Sequence, residues 1–224
     1  MQIISREFEQ ILLQSGKISH IYGPPKVGKS TLSAVIAMEL ALLDKDTMII
    51  STERPIEIRL DSMIESYERY DKKLLERILT ANIFTMDELL QTINNNLIEY
   101  VEQVDLIILD SLTSAYRGNS SPVSLTLLRK ALSKLQNIAY NNRMPILFTN
   151  QVASKMDESS DFRPVASATT RNYSDFTIRL SRKIDSKTEI SFENMLGEEE
   201  AVLESFQITA QGIEDFNYLF EIQF

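Results

Sequence analysis

Residues 23–30 read GPPKVGKS and match the spacing GxxxxGK[ST], which serves one kind of chemistry. In such a loop successive backbone N–H groups and the N-terminus of the following helix point inward and cradle an anion. Gly28 lets the backbone approach closely, Lys29 would neutralise the β- and γ-phosphates, and Ser30 would ligate Mg²⁺. Pro24 and Pro25 donate no N–H, but they lie in the entry half of the loop and stiffen it. An apolar strand pattern precedes the loop and a helical pattern follows it, which is the context the motif requires. These residues point to a nucleoside triphosphate, ATP, held with Mg²⁺.

A magnesium triphosphate site also needs an acid on a neighbouring strand. Asp110 closes the apolar run VDLIILD, at the strand end where ligands bind in open α/β sheets. The competing reading is an aspartate that only caps the turn. Hydrolysis needs a group that orients or deprotonates water, and Glu53, after TMIIST, is the candidate. A plain surface ion pair with Arg54 would explain the same glutamate. Gln151 ends PILFTNQ and offers an amide that can sense the γ-phosphate. Lys29, Glu53, Asp110 and Gln151 are thus expected at four neighbouring strand ends.

The elements that must position them alternate. Strands are expected at 17–22, 47–52, 104–110 and 145–151. Helices are expected at 30–43, 85–103 and from Ser121-Pro122 onward, with 57–79 mostly helical. Thr85 and Glu88 have the spacing of a capping box. From about residue 175 the pattern turns to alternating strands, FTIRLSR, KTEISFE and AVLESFQI, with a turn near Asp185-Ser186. The expected fold is α/β, a mostly parallel central sheet flanked by helices with a C-terminal antiparallel hairpin. With 224 residues, 43% hydrophobic, and no repeat or linker composition, one domain spanning 1–224 is expected.

Composition excludes several other chemistries. The absence of cysteine removes disulfides, zinc ribbons and thiol nucleophiles. The single His20 cannot build a histidine metal cluster and reads as a packed strand residue. The first residues lack a signal-peptide core, and no apolar run reaches membrane-spanning length, so a soluble cytoplasmic protein is expected. The net charge of −9 is unevenly spread. Residues 1–110 carry 11 basic and 18 acidic side chains, 111–190 carry 12 and 6, and 191–224 carry none and 8. A basic middle block is either a solvated surface or an anion-binding site.

In their order, the phosphate loop, Thr52-Glu53, VDLIILDSLTS, FTNQV, FRPV and EAVLESFQITAQGIED resemble the RecA/RadA recombinase family, specifically its archaeal RadA paralogues of the RadB type. The resemblance runs from about Phe8 to near the end and implies a RecA-like P-loop NTPase core. It implies that Gly23, Pro24, Pro25, Lys26, Val27, Gly28, Lys29, Ser30 and Thr31 hold the phosphates, with Ser30 and Asp110 at the metal. It makes Glu53 the catalytic glutamate, Gln151 the γ-phosphate sensor and Arg59 the arginine packed on adenine. The family's two DNA-binding loops would fall at about 116–124 and 152–171, inside the basic block. Arg117, Lys155, Arg163 and Arg171 would then contact DNA. Tyr116 and Phe162 would either stack on bases or pack inward, leaving the arginines to a protein partner.

The chain departs from the family in ways that matter. The family's N-terminal helix-hairpin-helix domain and its Phe-x-x-Ala polymerisation linker are not expected here. The second loop reads RPVAS rather than RPVGG, and F-E-N-M at 192–195 replaces the acid-x-Pro segment that caps a neighbour's ATP. The expectation is a monomer or small oligomer that assists a main recombinase or other paralogues. It would be a slow, DNA-modulated ATPase that binds single-stranded DNA. Two alternatives stand beside it: a non-hydrolysing assembly module docked on a partner recombinase, and a KaiC-like regulatory ATPase.

Overall fold

A computed structural model of the chain describes residues 11–66, 68, 70–117, 121–153, 162–183, 186–209 and 212–214. β1 (Ile18–Gly23) is buried along its length and runs between β5 (Ile146–Ala153) and β7 (Phe176–Arg182), parallel to both. β4 (Leu106–Asp110) continues the sheet from β5, followed by β2 (Thr47–Ser51) and β3 (Ile78–Asn82), all parallel. Beyond β7 the sheet turns antiparallel through β8 (Thr188–Glu193), β9 (Glu199–Ile208) and β10 (Ile213–Glu214). The order is β10-β9-β8-β7-β1-β5-β4-β2-β3, with the two-residue β6 (Arg163–Pro164) pairing antiparallel to β5. The expected parallel sheet with an antiparallel flank is the observed one.

Helices cover both faces. α1 (Lys29–Leu42) follows the phosphate loop and is buried along most of its length, as its all-round apolar sequence requires. It packs with α2 (Glu57–Ser66) on the core that contains Ile49, Ile108 and Ile178. α3 starts as Met86–Gln91, passes through a π-helical stretch Thr92–Asn96 and ends in Leu97–Tyr100. Its capping box forms as expected: the Thr85 hydroxyl accepts from Glu88 N at 3.2 Å, and the Glu88 carboxylate accepts from Thr85 N at 3.1 Å. α4 is the short Ser114–Arg117, and α5 (Pro122–Asn142) is capped by Ser121. α5 packs with α3 on the opposite core, around Leu109, Leu128, Leu132 and Phe148.

The segment 57–79 departs from expectation. After α2 come a 3₁₀ turn (Lys72–Arg77) and strand β3, where a mostly helical segment was expected. β3 is an edge strand in which only Ile78 is fully buried, so its sequence lacks the alternation that marks a half-buried strand. A further helix, α6 (Ser167–Asn172), occupies the end of the expected second loop.

Candidate nucleotide site at the strand ends

β1 ends at Gly23, and the chain turns through the loop into α1 within six residues. Two glycines make this turn possible. A Cβ on Gly23 would lie 2.5 Å from the Leu180 carbonyl oxygen. Gly28 has φ 102°, and a Cβ there would lie 2.3 Å from Ile208 Cδ1. Two of the loop carbonyls are held from the flank. Thr188 Oγ1 donates to Val27 O at 3.0 Å, and an Arg182 guanidinium nitrogen donates to Lys26 O at 3.3 Å. Lys29 Nζ folds back over the loop, donating to Gly23 O at 2.7 Å and Pro24 O at 2.9 Å.

Asp110 is the last residue of β4 and is 8% exposed. Thr149 Oγ1 donates to its Oδ1 at 2.5 Å. Burial pushes the Asp110 carboxyl above the usual carboxylate range, and Glu53 adds to the rise. Hydrogen bonds from Ser30 and Thr149, and the charge of Lys29, oppose it. A buried carboxyl beside a helix-start hydroxyl fits a hard cation that takes oxygen ligands. Mg²⁺ is typically bound through one or two carboxylates together with phosphate oxygens and water. Ser30 and Asp110 would hold the ion, which when bound would neutralise phosphate charge.

Glu53 and Gln151 meet: Gln151 Nε2 donates to Glu53 Oε1, which also accepts from Ser111 Oγ at 3.4 Å. Register places Gln151 directly beside Gly23, the first residue of the phosphate loop. The Asp110–Ser111 peptide is cis. Two confluent cavities open here. One, of about 400 Å³, lies between the phosphate loop, Glu53, Asp110, Gln151 and Ile208-Thr209. The other, of about 340 Å³, continues past Pro55, Ile58 and Arg59 at the start of α2. Arg59 borders both, where a planar guanidinium can lie against a flat ring. All four strand-end groups therefore line one continuous space of ligand size.

The comparisons with known proteins agree with this architecture. The Rad51 family pattern matches residues 1–216. This chain belongs to the Rad51 family. Its relatives include proteins named "DNA repair and recombination protein RadB". That of Halobacterium salinarum is 23% identical over 208 residues, covering 90% of this chain and 88% of its own. That of Methanobrevibacter smithii is 30% identical over 155 residues, covering 66% and 64%. That of Methanocaldococcus jannaschii is 27% identical over 215 residues, covering 92% and 98%. A RecA-like α/β core and the RadB-type resemblance are thereby established.

The residues expected at DNA are distributed differently. Arg163 is exposed on β6. Arg117 closes α4, its side chain lying outside the described set, and Lys155 lies outside the described residues. Arg171 corrects the expectation of a DNA contact. It is 8% exposed, donates to Glu193 Oε2 at 2.6 Å, to Asn194 O at 3.1 Å and to Ser167 Oγ at 3.3 Å. Tyr22 donates to the other oxygen of Glu193 at 2.6 Å, so this buried carboxylate is held from both sides. Phe162 turns inward, with the Arg179 guanidinium 4.3 Å from its ring centre and Tyr22 edge-on at 6.1 Å. Tyr116 is partly buried against the core beneath α5. Both aromatics are partly buried and make contacts within the protein itself.

Several residues of the site were not anticipated from sequence. Thr149 and Ser111 adjoin Asp110, Thr188 and Arg182 hold the loop, and Ile208-Thr209 wall the cavity. Only Thr149 and Ser111 left a local signal, as polar residues close in sequence to Gln151 and Asp110. His20 is buried in β1, stacked on Phe148 at 4.6 Å, and neither ring nitrogen has a partner among the described residues. Burial, with Arg171 nearby, lowers its pKa from 6.5 to about 3.

Proposed function

We propose that this chain is a recombinase-type ATPase of DNA repair and recombination that binds ATP and Mg²⁺ and assists a main recombinase. One observation carries the reading: Lys29, Ser30, Asp110, Glu53 and Gln151 line a single cavity beneath the phosphate loop. Lys29 and the loop N–H groups bind phosphate, Ser30 and Asp110 hold the metal, and Glu53 takes a proton from attacking water. The names of the RadB relatives support the repair and recombination role. Single-stranded DNA would be bound through Arg163 and Arg117, together with Lys155. The whole chain is read as one ATPase domain, a monomer or small oligomer by itself. Among the described residues no helix is long and apolar enough to cross a membrane.

The test is ATP turnover by the pure protein, with and without single-stranded DNA. Slow turnover that rises with DNA is expected. Glu53→Gln should keep nucleotide affinity and lower turnover by roughly 10²–10⁴-fold, because the amide keeps the shape and loses the basicity. Turnover by this variant equal to wild type would remove Glu53 from the chemistry. A second reading, a non-hydrolysing module docked on a recombinase, is favoured by a separate observation. The β8–β9 turn presents Met195 and Leu196 at 65% and 83% exposure, an apolar tip suited to a protein partner. No turnover in the presence of both DNA and recombinase would select it.

A further inference from the structure

Thr113 and Asn150 are both fully buried, and neither lines the nucleotide cavities. Asn150 immediately precedes Gln151 in β5, while Thr113 lies three residues beyond Asp110. Asn150 Nδ2 lies 2.9 Å from the Val165 carbonyl oxygen. A carbonyl can only accept, so this contact fixes the amide and leaves Oδ1 to receive the Thr113 hydroxyl at 2.5 Å. One side chain thus joins the segment after β4 to the segment that returns against β5.

Each joined segment has its own line to the nucleotide end. Thr52 Oγ1 accepts from Ser111 N at 3.1 Å and sits 2.9 Å from Ser114 Oγ, beside Glu53. Val165 N donates to Gln151 O at 2.8 Å. The Thr113–Asn150 contact is the cross-tie between these two lines. Buried polar pairs add directionality that apolar packing lacks, because each group accepts one geometry of its partner.

We propose that Thr113 and Asn150 form a positioning latch that makes residues 111–117 and 162–166 move as one unit. A displacement at Glu53 or at Gln151 then reaches both segments together. The proposal rests on the reading of the strand ends as a nucleotide site, but its central measurement does not require nucleotide.

The experiment reads amide hydrogen exchange of the full chain, wild type against Thr113→Val. Valine keeps the volume and the β-branch and removes the donor. Exchange at Val165, which shares no hydrogen bond with Thr113, should quicken roughly five- to tenfold, the factor expected for one buried hydrogen bond. Leu112 and Ser114 should quicken with it, while Ile49 in β2 stays at its wild-type rate. Thr113→Ser should restore all of them. Quickening confined to 111–117 would overturn the latch. Should Thr113→Val not fold, Asn150→Asp sets a carboxylate oxygen against the Val165 carbonyl and should loosen both segments. Loosening of only one by that variant overturns the proposal equally. Mg²⁺–ATP added to wild type should slow exchange in both segments together. Wild type that binds no nucleotide refutes the functional reading, and the nucleotide-free comparison still decides the latch.

Discussion

Two regions of the molecule handle their charged residues in opposite ways. At the strand ends around the phosphate loop, Lys29, Glu53, Asp110 and Gln151 face a common cavity. On the flank built by α6, β7 and β8, Arg171 and Arg179 face Glu193 and Phe162 instead of solvent. The first arrangement turns internally partnered charges toward an open cavity, which we read as a site for an outside anion. The second satisfies charge internally and fixes the position of the β8–β9 hairpin. A cationic sequence block is therefore no guide to a cationic surface until the carboxylates opposite it are known. In this block the exposed cations among the described residues include Arg129, Lys130 and Lys134 on α5, as well as Arg163.

The contrast is broken most forcefully at Arg171. Arg171→Ala should cost about 3–5 kcal/mol, since it leaves the Glu193 carboxylate buried without its guanidinium. Urea unfolding measures this. Unchanged stability with weakened DNA binding would return Arg171 to the DNA surface. Lys29→Ala should do the reverse, weakening ATP about 100-fold, on the scale of about 2–3 kcal/mol for hydrogen bonds to a charged group. Its melting temperature should stay near wild type, and titration with a fluorescent nucleotide that showed full affinity would refute the site.

His20 sharpens the comparison with a pH dependence. Its folded pKa of about 3 lies below the unfolded 6.5, so the unfolded chain binds the extra proton between those values. Its contribution is complete above pH 6.5 and is lost as pH falls toward 3, by up to about 1.4 kcal/mol per pH unit. Denaturant midpoints across that window should be flatter for His20→Phe than for wild type. An unchanged slope would assign the acid sensitivity elsewhere. The smallest effect is expected at Arg163. Arg163→Ala should reduce the salt slope of single-strand binding by about 0.7, the value for one phosphate contact. A slope equal to wild type would take Arg163 out of the interface.

Legibility in the sequence followed the range of the interaction. The capping box at Thr85 and Glu88 spans three residues and appears as read. The strand β3 was missed because an edge strand with one fully buried residue leaves little pattern, and the helix-forming Lys72–Arg77 stretch precedes it. Phe162 was ambiguous because its neighbours in space, Tyr22 and Arg179, lie far away in the chain.

The sequence by itself determined the phosphate loop, the acids and amide at the strand ends, and the parallel sheet with its antiparallel flank. These depend on residue spacing within one element or one turn, where backbone geometry leaves few choices. Only the tertiary structure decided that Glu193 would hold Arg171 from 22 residues away, that Ile208 would close over Gly28, and that Thr113 would reach Asn150. Those contacts depend on which strands become neighbours. Strand order is set by the burial of the whole sheet, and no local stretch of chain contains it.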